Sequence, residues 1–158
     1  MQRKIHWPIL VTIIFMISLI NVPTMKAQEH ISEFELVDQF GGTVSAVAIE
    51  GSHAYMGIGR RLVVVDLSEA THIQYVGSSH LFDDLIYEIK IRDGYAYTAT
   101  GSSGLHIIDI STPSEPQTVA HYQSVGFTHS IDLSGDYAYL ANNTGGLHIL
   151  NIALPTSP

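Results

Sequence analysis

Short apolar segments separated by turn residues occupy most of the chain, and they recur with a fixed spacing. Three of these segments end in Asp or Asn: Leu62–Asp66, Leu105–Asp109 and Leu147–Asn151. The dipeptide Ala-Tyr precedes each of them and appears every 42 residues, at positions 54–55, 96–97 and 138–139. A period of this size is typical of a repeat architecture.

Each repeat predicts short strands joined by tight turns. In the first repeat, Gly51-Ser52 separates two of them, because glycine-containing pairs supply the positive φ that tight hairpins require. We expect the four strands of this repeat at Val44–Glu50, His53–Ile58, Leu62–Leu67 and Tyr75–Leu81. The third repeat ends before a fourth strand, and the three repeats extend over about 44–84, 85–126 and 127–158.

The third strand of each repeat is almost continuously apolar, which predicts that both of its faces are buried. Small four-stranded sheets that stack face to face are the blades of a β-propeller. A β-solenoid usually has shorter coils, and a leucine-rich repeat would need an asparagine ladder and a helical half. The sequence therefore predicts an all-β fold, a partial β-propeller of about three four-stranded antiparallel blades.

The residues of the repeat also resemble a known family. Leu62–Asp66, Ala54-Tyr55, Gly104-Leu105 and the exit Asp109–Pro116 are similar to the motifs of LVIVD-repeat proteins. These are exported β-propellers of bacteria and archaea, and the resemblance covers roughly residues 44–158. It implies the fold and export, but it implies no particular chemistry because the family has no general assigned activity.

Three blades are too few to close a ring, since propellers typically contain about 4 to 8. We therefore expect a fragment of a longer propeller, or an arc that closes by association with other copies of the chain. Glu33–Phe40 aligns with the fourth strands of the repeats and is predicted to be a strand. It could complete the blade that Leu147–Ile152 leaves unfinished, in the same chain or in a neighbour.

The first residues have the pattern of an export signal. Arg3 and Lys4 precede a short apolar run, Ile9–Ile20, and Ala27 is a small residue at a suitable cleavage position. The run is short for a membrane span, which needs roughly 20 residues. We expect residues 1–27 to be a signal peptide, 28–32 a linker and 33–158 the propeller; an uncleaved membrane anchor is the alternative.

Charge and composition limit the classes of partner and of chemistry that the chain can have. Removal of residues 1–27 takes three basic residues and no acidic one, so the net charge changes from −8 to −11. Such a surface repels phosphate backbones and argues against nucleic-acid binding. The chain has no cysteine, which excludes disulfides and thiolate chemistry. An exported protein of this kind would be periplasmic, on the cell surface or extracellular, with no stable membrane span once the signal is removed.

The best candidate binding residues are Ser45, Tyr87 and His129, which start the innermost strand of each repeat and so face a central channel. We expect no catalytic residue, metal site or cofactor, because no metal-ligand spacing or phosphate loop is present. We expect His106 and His148 to serve packing or hydrogen bonds between blades.

Other polar residues have structural interpretations too. The Asp or Asn that ends each third strand is expected to bond the backbone of the following turn. Asp83-Asp84 and Glu88 are expected to be a solvated acidic group rather than an acid–base pair. Asn142-Asn143-Thr144 matches a glycosylation pattern, which carries little weight.

Two functions fit these observations. The first is a non-catalytic binding module at or outside the cell envelope that holds a protein or glycan through its loops. The alternative is a subunit or fragment of a periplasmic hydrolase or lyase with a site in the central channel.

Overall fold

The computed structural model describes residues 35–158, which form three antiparallel sheets and one short 3₁₀ turn at Asn143–Gly145. Each sheet is a blade of a partial β-propeller, as predicted. Blade 1 contains β1 (Val44–Glu50), β2 (His53–Ile58), β3 (Arg61–Asp66) and β4 (Gln74–Ser78). Blade 2 contains β5 (Glu88–Arg92), β6 (Tyr95–Ala99), β7 (Leu105–Asp109) and β8 (Gln117–Tyr122). Blade 3 contains β9 (Ser130–Ser134), β10 (Tyr137–Ala141) and β11 (Leu147–Asn151).

Neighbouring strands within each blade are joined in sequence order, and the predicted hairpin turns are confirmed. Asp93 and Gly94 between β5 and β6 have φ angles of 53° and 77°. Positive φ at both central residues is the geometry of a type I′ turn, whose twist matches that of the flanking strands. The first strand of each blade contacts the first strand of the next, so β1, β5 and β9 form the inner row of the arc.

Two apolar cores hold the blades face to face. Side chains alternate between the two faces of a strand, so each blade contributes one face to the core on either side. The core between blades 1 and 2 includes Tyr55, Leu62 and Val64 on one side and Ile89, Ala96 and Ile108 on the other. The core between blades 2 and 3 contains the equivalent residues Tyr97, Leu105 and Ile107, opposed by Ile131, Ala138 and Leu140.

The polar residue that ends each third strand bonds the turn that follows, as predicted. The Asp66 Oδ1 accepts a hydrogen bond from the Ser68 amide at 2.7 Å. The Asp109 Oδ1 accepts one from the Ser111 amide, and the Asn151 Oδ1 accepts one from Ala153, both at 2.9 Å. Hydrogen bonds from Ser111 hold the pKa of Asp109 below its usual value. These residues therefore shape the exit of the third strand.

The prediction that every third strand is buried on both faces is wrong for blade 3. Residues of β3 and β7 are almost all buried, whereas Leu147 and Ile149 of β11 remain 65% and 54% exposed. Within residues 35–158 there is no further blade to cover this face. The same absence leaves Val47 and Ile49 exposed on the opposite end of the arc, in β1.

The predicted strand at Glu33–Phe40 is not formed over residues 35–40, which lack regular secondary structure. No third strand precedes this segment in the described residues, so it has no ladder to join. It is nevertheless attached to blade 1. Phe40 packs against the cluster of Ala54, Met56, Val63 and Val65, and the Asp38 Oδ2 accepts a hydrogen bond from the Ile73 amide at 3.0 Å.

The predicted signal peptide and linker, residues 1–32, lie outside the described residues. Among residues 35–158, no helix has the length and apolar character needed to cross a membrane.

Candidate functional site

Loops of two kinds meet at one end of the arc, here called the upper end. They are the connections from a fourth strand to the next first strand, residues 79–87 and 123–129, and the hairpins between second and third strands, residues 59–60, 100–104 and 142–146. The amide of Phe82 donates to the carbonyl of Arg60 at 2.8 Å, and the amide of Ile86 donates to that of Gly59 at 3.4 Å. Each connection is thus tied to a hairpin by backbone hydrogen bonds.

The three candidate channel residues lie at the upper end but do not form one cluster. The Ser45 hydroxyl donates to the carbonyls of Gly57 and Ile86, so it joins blade 1 to the connection that leads into blade 2. The Tyr87 ring makes an edge contact with Phe127, at 4.9 Å between ring centroids. His129 is exposed, and its amide donates to the carbonyl of Ala141 at 3.2 Å.

These contacts separate the roles of the three residues. Ser45 has its hydroxyl in structural hydrogen bonds, and Tyr87 is half-buried against its aromatic neighbour. His129 alone presents its ring to solvent at the start of an innermost strand. Of the predicted trio, it is therefore the residue best placed to meet a ligand.

Of the three carboxylates predicted to form one solvated acidic group, Asp84 and Glu88 are instead held by hydrogen bonds, in different places. Asp84 accepts hydrogen bonds from the amide and hydroxyl of Ser102 at 2.8 and 2.7 Å. Burial acts to raise the pKa of Asp84, but its bonds to Ser102 and Leu85 outweigh it and hold the pKa below the usual value. Asp84 thus locks the hairpin of blade 2 to the connection beside it, and Asp83 is exposed.

Glu88 joins the inner strands of blades 2 and 3. Its Oε2 accepts hydrogen bonds from the Ser130 hydroxyl at 2.6 Å and from the Ile131 amide at 2.8 Å. Its Oε1 lies 3.2 Å from the Lys90 ammonium. Partial burial acts to raise the pKa of Glu88, yet these bonds and the charge of Lys90 lower it overall. The carboxylate is therefore ionised and structural, not free for acid–base work.

A buried polar network locks the hairpin of blade 3. The Thr128 hydroxyl contacts that of Ser124 at 2.6 Å and donates to the Asn142 side-chain oxygen. Thr128 and Gly101 exchange backbone hydrogen bonds, which links this network to the hairpin of blade 2. Asn142 is fully buried, so it cannot accept a glycan in the folded chain despite its sequence pattern.

His106 serves packing and His148 serves a contact between blades, in line with the two roles predicted for them. The His106 ring lies between Phe82, at 4.7 Å, and His121, at 4.2 Å between ring centroids. Its Nδ1 is 2.8 Å from the Thr100 hydroxyl. Burial, together with the neighbouring His121, lowers the pKa of His106 to about 4. The Tyr122 hydroxyl of blade 2 contacts the His148 Nδ1 of blade 3 at 3.1 Å.

Sequence reasoning missed several residues of this end. Phe82 follows Phe40 by 42 residues, so the repeat carried a signal for an aromatic residue at this position. The pairing of His121 with His106 across β7 and β8 had no such signal, because blade 1 has Val63 at the place of His106. The network around Thr128 depends on burial, which the local sequence does not display.

Within residues 35–158, no three His, Asp or Glu side chains lie close enough together to hold a metal ion.

Comparison with protein families agrees with the division of the chain into blades. The profile described as LVIVD repeat matches residues 41–80, 87–124 and 125–158, one match for each blade. The chain belongs to the LVIVD repeat family. The matched segments start and end close to the predicted repeats, so this family supplies the repeat unit of the propeller.

No curated protein matches the LVIVD-repeat chain significantly. Among solved structures, it is similar to the crystal structure of the computationally designed Ika4 protein. The TM-score is 0.58 at 13% sequence identity, over 73% of this chain and 69% of that chain. At this identity the likeness shows the fold alone.

Protonation of His106 should make the propeller less stable in acid. The lowered pKa means that the neutral ring is favoured in the folded state, so this contribution is complete above pH 6.5 and is lost as the pH falls toward about 4. We expect the free energy of unfolding in urea to fall on the order of 3 kcal/mol across that window.

The control is His106→Val, which places in blade 2 the residue that blade 1 has at the equivalent position. This variant should show a much flatter dependence between pH 6.5 and 4, whatever its stability at pH 7. An unchanged slope in His106→Val would show that another group causes the acid sensitivity.

Proposed function

We propose that this chain is an exported β-propeller module that binds a protein partner through its upper end and does not itself catalyse a reaction. The observation that carries the proposal is a pair of exposed apolar side chains on loops that are locked in place. Val125 is 76% exposed and Leu85 is 40% exposed, each on a connection that leads into a first strand.

The polar groups around these side chains are engaged in holding the loops. Asp84 bonds Ser102, and Thr128 bonds Asn142. Both connections are therefore already ordered before a partner binds. Pre-ordered loops reduce the entropic cost of association. Exposed apolar groups near aromatic rings such as Tyr87 are typical of protein-binding surfaces, which favours a protein over a glycan as the partner.

Export is supported by the N-terminal pattern and by the family. A basic start, a short apolar run and a small residue at Ala27 describe a secretory signal. An acidic mature surface also suits a protein that must stay soluble outside the cytoplasm.

Cleavage of this signal should release a chain that begins at Gln28. Intact-mass spectrometry of protein recovered from the envelope or the medium measures the N-terminus directly. Ala27→Leu should block processing, because signal peptidase needs a small residue there. A chain that keeps Met1 and stays with the membrane pellet would contradict this proposal and support an anchored form.

Binding through the upper end predicts that charge at the exposed apolar pair abolishes capture of the partner. The full chain is immobilised and exposed to an envelope extract, and the captured protein is identified by mass spectrometry, purified and titrated. Leu85→Glu with Val125→Glu should weaken its binding by roughly 100-fold or more, since a charge would be buried without a partner.

The matched control is Leu154→Glu, which places a charge on another exposed leucine, in the segment after β11. It should bind like the parent chain. Equal loss in both variants, or no loss in the double variant, would contradict binding through the upper end.

The alternative, a subunit of an envelope hydrolase or lyase, is favoured only by the exposure of His129 directly before β9. In the same titration, His129→Ala should leave binding intact if the module binds through Leu85 and Val125. Hydrolysis or elimination of an envelope substrate by the full chain, lost in His129→Ala, would favour the alternative.

A further inference from the structure

At the two ends of the arc, apolar side chains are exposed on β1 and β11, at Val47, Ile49, Leu147 and Ile149. We propose that the chain pairs with a second copy of itself, with blade 3 of each copy packed on blade 1 of the other. Two copies of the three described blades would supply six, within the range of roughly 4 to 8 with which propellers close.

The exposed face of blade 3 repeats the buried faces of the other blades. Blade 2 covers Tyr55, Leu62 and Val64 of blade 1, and blade 3 covers Tyr97, Leu105 and Ile107 of blade 2. The residues of blade 3 at the same positions are Tyr139, Leu147 and Ile149. This face therefore carries the Tyr, Leu and β-branched set that another blade covers twice in the same molecule.

The outer face of blade 1, which is exposed along β1, carries the opposing set. At each interface between two blades, the later blade in the chain presents a β-branched residue on its first strand and an alanine on its second strand. These are Ile89 with Ala96 in blade 2 and Ile131 with Ala138 in blade 3. Blade 1 has Val47 and Ala54 at these positions; Val47 is 60% exposed, whereas Ala54 is buried in the cluster on which Phe40 packs. The two ends are thus complementary by the same register that joins blades 1, 2 and 3.

The free edge of β11 also favours a second copy of the chain as the partner of blade 3. In the described residues β11 pairs only with β10, whereas β3 and β7 each pair with a fourth strand. An unpaired edge beside an apolar face is a template for another strand.

The segment before β1 is suited to this edge in the other copy. Phe40 packs on blade 1 one repeat before Phe82, which packs on blade 2 directly after the fourth strand of blade 1. By the same offset of 42 residues, Leu36 corresponds to Ser78, the last residue of β4, which pairs with Val63 of β3. Docking blade 1 of one copy on blade 3 of the other would bring residues 35–36 beside β11.

Such a pair has two-fold symmetry and two identical contacts, each between blade 3 of one copy and blade 1 of the other. Sedimentation velocity of the full chain over a concentration series should show a dimer. Leu147→Glu and Ile49→Glu, one on each face, should each raise the dissociation constant roughly 100-fold or more, because both contacts are damaged.

Mixing the two variants provides the decisive arm. In a mixed pair, one contact carries both substitutions and the other carries none, so association should recover in part. Leu154→Glu is the control for an added charge and should remain dimeric. Circular dichroism of each variant checks that substitution at an exposed side chain has left the fold intact.

A monomeric parent chain at every concentration would overturn the proposal and leave blades of the same kind in a longer chain as the occupant of both faces. A dimer that persists in Leu147→Glu and Ile49→Glu, or a mixture that fails to recover, would place the contact elsewhere and overturn it too.

Discussion

The packing of one blade against the next is the constraint on which the rest of this structure depends. An isolated sheet of short strands has two apolar faces and cannot bury either of them alone. Leu105 and Ile107 of the middle blade are fully buried because blade 3 covers them. Burial of apolar surface at roughly 25 cal/mol per Å² is the main source of stability in such a stack.

Because the blades are fixed in this way, the loops at the upper end can be fixed as well. Glu88 joins the inner strands of blades 2 and 3, and Asp84 joins a hairpin to the connection beside it. These two carboxylates are thereby engaged in structure, and apolar side chains such as Val125 are left exposed for a partner. Loops that are held by carboxylates and expose apolar side chains support a rigid recognition surface more than a reaction centre.

Much of the fold could be predicted because the same pattern of strands and turns occurs in each sequence repeat. The strands of blade 1, the tight turns and the role of Asp66 follow from spacing and turn chemistry. The exposure of Leu147 could not be predicted from its own segment, because the local pattern is the same as that of Leu105, and only the neighbouring blade differs. The segment at 35–40 has strand-like residues but no ladder to join.

The candidate site was less predictable than the fold. Position in the repeat predicted that Ser45, Tyr87 and His129 share one setting at the central channel; in the structure all three lie at the upper end, but their side chains have different surroundings. Ser45 is exposed but its hydroxyl is used in hydrogen bonds between blades, and His129 is the exposed residue whose ring remains as a candidate ligand contact. Such differences arise from partners distant in sequence, which a repeat pattern does not encode.

The central claim is that a blade is stabilised by the blade that covers it, and two equivalent leucines test it directly. Leu105→Ala and Leu147→Ala remove the same atoms at the same repeat position, one fully buried and one 65% exposed. Urea unfolding is measured at a concentration where the chain is monomeric. The free energy of unfolding should fall by about 2–5 kcal/mol for Leu105→Ala and by less than about 1 kcal/mol for Leu147→Ala. Equal losses would contradict the account.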